Sequence, residues 1–144
     1  MSAYQRTKGQ QGEREVAQIL CSALGLPVSR NWKEQFFGGA FELVGIPGWA
    51  VEVKRARSAQ LQAWWEQTIQ QAEKAKLKPA LLYRIDGYGR GLEPDEKWRA
   101  VVPLNTFTDA GAKPFPVEMS LRAWIYLLVK AHGLSGLVND SVPF

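Results

Sequence analysis

Three stretches of the chain repeat apolar residues at helical spacing, and four short runs have strand length, so their order predicts the architecture. Val16, Ile19, Leu20, Ala23 and Leu24 mark an amphipathic helix over Gly9 to Leu24, closed by Gly25 and Pro27. Phe36 to Val44 and Trp49 to Lys54 are two strands of a hairpin turned at Gly45-Ile46-Pro47-Gly48. Leu61, Trp65, Thr68 and Ala72 place a second helix over Ala59 to Lys76. PALLYRI, residues 79 to 85, is a buried strand, Asp86 to Lys97 a polar loop, and Trp98 to Leu104 another strand. Ser120 caps a last helix, Leu121 to Ala131, which Gly133 ends. This helix has so little polar face that its own sheet or a second copy of the chain must cover it, and the tail from Leu134 to Phe144 is ordered only by docking. The predicted class is α/β, a single domain over residues 1–144 with a central mixed β-sheet flanked by helices.

Composition agrees with that picture. With 144 residues, 46% of them hydrophobic and 22% charged, the chain can bury a core of its own. No apolar run reaches the roughly 18 to 20 residues that span a bilayer, and the start, MSAYQRTKGQQGERE, is polar, so no membrane role and a cytoplasmic location are expected. Cys21 is the only cysteine, which excludes an internal disulfide and a cysteine-rich zinc site and leaves core packing as its role. His132 is the only histidine, so a Ser-His-Asp triad has no redundancy to draw on, and catalysis must rest on carboxylates, lysine and a metal. A net charge of +4 suits a phosphate-rich partner.

Glu52 and Lys54 alternate with Val51 and Val53 and therefore share one strand face. That pattern also describes an ordinary two-faced strand with a solvated ion pair. Glu42, on the other arm of the hairpin, shifts the balance, because its carboxylate converges on that of Glu52 and two such groups repel unless a cation lies between them. Mg²⁺ suits carboxylate and carbonyl oxygens, and the Val53 carbonyl is a further donor. Lys54 is placed to polarise water and to steady charge on a phosphate. On the first helix, Glu13 precedes Val16 by three residues and Leu20 by seven and shares their inward face, whereas Glu15 lies further round. The plainer account of both is that anionic residues are favourable in the first turn of a helix. Trp64, Trp65, Trp98 and Trp124 have the spacing of core residues, while Phe36 and Phe37, beside Gly38-Gly39, are the better aromatic candidates for a surface that meets DNA or a partner.

KGQQGERE at residues 8–15, FEL at 41–43 and VEVKR at 51–55 together make the chain resemble the PD-(D/E)xK nucleases, and among them the archaeal-type and phage Holliday junction resolvases. The resemblance runs from about Arg6 to Leu104 and implies a restriction-endonuclease-like core. It implies a Mg²⁺- or Mn²⁺-dependent endodeoxyribonuclease with Glu13, Glu42, Glu52 and the Val53 carbonyl on the metal and Lys54 on the water. It also implies that Gln67 lies near the site, that Arg6, Lys8, Arg30, Lys33, Arg55 and Arg57 contact DNA, and that the enzyme is a homodimer cutting four-way junctions in a bacterial host, where a phage would encode it. Glutamate stands at position 42 where the family usually has aspartate, and Phe41 where it has proline. A same-fold nuclease acting on ends, flaps or duplex is the nearest alternative, and a DNA-binding protein weakened in cleavage by Glu42 is another. PDEK, residues 94–97, spells the motif name but lies in the expected loop, where it cannot put Asp95 and Glu96 on one strand face.

Overall fold

A computed structural model of the chain describes residues 2–31, 42–109, 111 and 113–131. Helix α1 spans Ala3–Leu24. It is followed by β1 (Ser29–Arg30), β2 (Leu43–Val44) and β3 (Trp49–Ala56). After helix α2 (Leu61–Ala75) come β4 (Lys78–Ile85), a single helical turn α3 (Pro94–Lys97), β5 (Arg99–Pro103), β6 (Pro116–Ser120) and helix α4 (Leu121–Ala131). The strands form one six-stranded sheet in the order β1-β2-β3-β4-β5-β6. Only β3 and β4 run parallel, in unbroken register from Trp49 beside Lys78 to Ala56 beside Ile85, as the α2 crossover between them requires. The result is the mixed α/β sheet with flanking helices that the sequence predicts.

Alternation along the central strands sorts side chains into two layers. Val51, Val53, Leu82 and Val102 join Val16, Leu20 and Leu24 of α1 and Trp124 and Leu128 of α4 in the larger apolar cluster. Leu81, Tyr83 and Val101 face the other way and pack with Trp65 of α2. The inner residues of α4 therefore lie within this chain's own core, so its sheet is what covers that helix. Trp65, Trp98 and Trp124 are buried, as their spacing predicts. No helix among the described residues is long and apolar enough to cross a membrane.

Three sequence expectations need correction. Helix α1 begins at Ala3 rather than Gly9, because Ser2 and Gln5 form a capping box: each side chain accepts a hydrogen bond from the other's backbone N–H. The segment 86–97 is not all loop. Its residues Pro94–Lys97 make a helical turn, and Arg122 of α4 pairs with both Asp95 and Glu96 there. Strands β1 and β6, at the two edges of the sheet, carried too short or too mixed a pattern to be expected. Most of the expected strand from Phe36 lies outside the described residues, and Leu43–Val44 is the part observed. The cap expected at Ser120 is present, its Oγ accepting from the Ala123 N–H at 3.1 Å.

Two glycines fix how elements meet. A Cβ on Gly12 of α1 would lie 3.2 Å from the Trp98 ring and 3.4 Å from the Arg55 Cβ, so a small residue there lets the helix settle on the sheet. Gly45 opens the β2–β3 turn at φ +112°, where a side chain would also run into the Pro27 carbonyl oxygen at 2.6 Å.

Candidate active site

Leu43 pairs with Val51 across the β2–β3 ladder, and the Glu42 N–H donates to the Val51 carbonyl at 2.9 Å. One step outward in that register, Glu42 stands opposite Glu52. Glu52 is only 1% exposed, and Glu42 is half-buried with its carboxyl turned inward, accepting from the Val53 N–H at 3.0 Å. Burial raises the Glu42 carboxyl well above the ordinary carboxylate range. The nearby charges of Glu52 and Glu13 and a hydrogen bond with the Glu52 carboxyl push it further, while Lys54 opposes the shift. The pair therefore favours a proton, or another cation, between its two carboxyl groups. Lys54 Nζ lies 3.3 Å from Glu52 Oε1, so strand alternation does bring that pair together.

These residues sit in and beneath a cleft of about 610 Å³ whose walls include Glu13, Arg30, Glu42, Val53, Lys54 and Trp64. Glu13 reaches it from α1, its Oε2 accepting from Arg30 Nε at 2.6 Å. Glu15 points elsewhere, paired with Arg84. The donor chemistry fits a hard divalent cation: Glu13 and Glu52 both act electrostatically on Glu42, Val53 lines the same cleft, and the carboxylate and carbonyl donors are all oxygen. Among the described residues no group of three acidic side chains is already gathered as a cation cage. Arg30 engages Glu13, and Glu42 is hydrogen-bonded to Glu52.

Other expected residues divide. Arg6, exposed, and Arg55 reach the cleft, and exposed Arg57 lines the groove beside it. Lys8 is buried and ion-paired with Asp86, which also holds Arg55 at 3.4 Å. Gln67 is exposed on α2 and does not line the cleft. Lys33, Phe36 and Phe37 lie outside the described residues. Sequence reasoning missed three participants. Trp64, assigned to the core with the other tryptophans, is half-buried in the cleft wall, its ring 5.9 Å from that of Tyr83. Gln60, one turn before it, lines the same wall, and the spacing of four between them on an amphipathic helix was the available signal. Asp86 was read only as the start of a loop.

No curated protein sequence matches the chain. Among solved structures it is similar to Hjc, a Holliday junction resolvase from the archaeal hyperthermophile Archaeoglobus fulgidus, at 18% identity over 88% of this chain and 96% of that one, with a TM-score of 0.47. The family model described as "Phage putative PDDEXK endonuclease" matches residues 4–120, a span that contains Glu13, Glu42, Glu52 and Lys54, and the chain belongs to that nuclease family.

Proposed function

We propose that the chain is a divalent-metal-dependent DNA endonuclease that resolves four-way junctions as a homodimer in the cytoplasm. The observation that carries this reading is the placing of Glu42 against buried Glu52, with Lys54 alongside. An ordinary surface hairpin gains nothing from burying two carboxyl groups together, whereas a cation site needs them so. Glu42, Glu52 and the Val53 carbonyl would hold Mg²⁺ or Mn²⁺, joined by Glu13 when Arg30 turns from it to a DNA phosphate. The bound ion supplies Lewis-acid stabilisation to the phosphoryl oxygens and lowers the pKa of a water.

The chain's own groups do the rest. The Lys54 ammonium orients the attacking water and offsets the charge that builds on the phosphorus-bound oxygens. Arg6 and Arg30 hold the backbone in the cleft. The preference for junctions is supported by the likeness of KGQQGERE and VEVKR to the resolvases. Two symmetric nicks need two sites, which is the ground for a dimer. A second reading, binding without cleavage, draws on the Arg30–Glu13 ion pair and on the longer side chain at Glu42.

The deciding experiment offers a labelled four-way junction and a matched linear duplex to the wild type and to Lys54→Ala, with Mg²⁺, Mn²⁺ or EDTA. Paired metal-dependent nicks in the junction alone, lost in the variant, are expected. Cleavage of both substrates would leave a nuclease of broader taste. Binding without cleavage under every condition would favour the second reading. Glu42→Asp sharpens the result: an increase of about tenfold or more in cleavage puts position 42 in the site, since one methylene less brings the carboxylate to the family's usual length, and no change would remove it from the ligand set.

A further inference from the structure

A second polar pocket, of about 270 Å³, opens between the first turns of α1 and the end of β4, and it rests on no residue of the metal site. Lys8, Arg55 and Arg84 bring cations to it, and Thr7 and Gln11, from the same side of α1 as Lys8, bring neutral hydrogen-bonding groups. It is not isolated. Lys8 and Arg55 also line an adjoining groove with Arg57 and Ser58, and Arg55 lines the catalytic cleft as well, so the three concavities meet at Arg55.

The charges in this pocket do not balance among the described residues. Asp86 faces two cations at once, Lys8 at one carboxylate oxygen and Arg55 at the other. Arg84 spends one terminal nitrogen on both Glu15 oxygens, at 3.0 and 3.2 Å, while its Nε is buried with no hydrogen-bond partner. Exposed Arg57 adds a further positive charge nearby. Burial foremost, with Arg55 and Arg57 close by, makes the Lys8 ammonium easier to deprotonate than a free lysine. Lys8, Arg55 and Arg84 share two carboxylates, Asp86 and Glu15, which leaves one positive charge over. What the pocket lacks is an anion with several acceptor oxygens, and an arginine fork beside a lysine is suited to a phosphate.

We infer that Lys8, Arg55 and Arg84 form a phosphate subsite for the DNA strand as it leaves the catalytic cleft, with Asp86 holding Lys8 and Arg55 in place until a backbone phosphate arrives. The inference deepens the nuclease reading and rests on it. The subsite takes a phosphodiester remote from the scissile one, so it lengthens the footprint to one side of the cut.

The test measures binding in EDTA, where cleavage plays no part. A series of labelled junctions and duplexes, each with one uncharged methylphosphonate, is titrated with the wild type, Arg84→Gln and Glu15→Gln. With wild type, affinity should fall at phosphates around the cut and again at a separate position to one side. Arg84→Gln should erase the separate position, weaken binding several-fold and lower the slope of log affinity against log salt by about 1. Glu15→Gln removes the same ion pair but takes away a negative charge, so it should tighten binding. Equal weakening by both variants would mean that the Arg84–Glu15 pair is only a brace, and the subsite would fall while the nuclease reading stood. Retention of the separate position by Arg84→Gln would overturn the subsite in the same way. Failure of the wild type to bind any of the DNAs would sink both.

Discussion

The two faces of the sheet follow different rules. Toward α1 and α4 the buried residues are apolar, from Val16, Leu20 and Leu24 to Trp98, Trp124 and Leu128. Toward α2 the apolar cluster is smaller, Trp65 with Leu81, Tyr83 and Val101, and the buried set also includes Glu52, Thr68 and Gln71. Strand β3 serves both, with Val51 and Val53 on the first face and Glu52 and Lys54 on the second. Burying a carboxylate or leaving the Gln71 Oε1 without a hydrogen-bond partner costs stability. The first face can offset that cost through its larger apolar cluster, even though it leaves the indole N–H groups of Trp98 and Trp124 without hydrogen-bond partners. Within β3, apolar packing and the candidate site are thus separated by the thickness of one strand, odd positions going to the first and even positions to the second.

The division can be broken from either side. The largest effect should come from the apolar face: Trp124→Ala leaves a cavity in the main cluster and should remove about 3–5 kcal/mol of unfolding free energy in a urea titration. A loss below about 1 kcal/mol would show that this face is not the chief source of stability. On the other face, Lys54→Ala should reduce cleavage by about 10²- to 10³-fold with the urea midpoint little changed. A large drop in the midpoint would mean that Lys54 is structural.

Glu42→Gln tests the boundary between the two roles. Because the Glu42 carboxyl titrates higher in the folded protein than in the unfolded chain, its contribution is fully present below the ordinary glutamate range and is lost as pH rises toward the folded value. In EDTA the stability of wild type should therefore fall relative to Glu42→Gln as pH rises through that window, and added Mg²⁺ should narrow the gap. Parallel stability curves at all pH values would show that position 42 is not buried against Glu52. The smallest effect is expected of Gln67→Ala: exposed and away from the cleft wall, it should leave cleavage within about twofold.

Local geometry made much of the site legible in the sequence. The turn at Gly45 to Gly48 fixes the hairpin register, and the register puts Glu42 across from Glu52. Strand alternation places Lys54 beside Glu52, and helical angle separates Glu13 from Glu15. What could not be read was set by partners far off along the chain. Lys8 meets Asp86 across a separation of 78 residues, which no periodicity records. Arg30 lies in a two-residue edge strand, too short to show a pattern, so its hold on Glu13 stayed hidden. Strand β6 becomes evident only through its pairing with β5. The first turns of α1 lack apolar repeats because their outer face meets solvent, and only the Ser2–Gln5 box marked them.

The parallel register of β3 with β4 has a consequence for the timing of activity. Parallel neighbours cannot be joined by a tight turn, so the strand that carries Glu52 and Lys54 waits for α2 and then for β4 before it is held on both sides. During synthesis the chain must emerge past Ile85 before that strand is locked. A growing polypeptide stopped short of that point would carry the motif residues in order without the neighbour that fixes their strand, so the geometry of the candidate site arrives with β4 rather than with the motif.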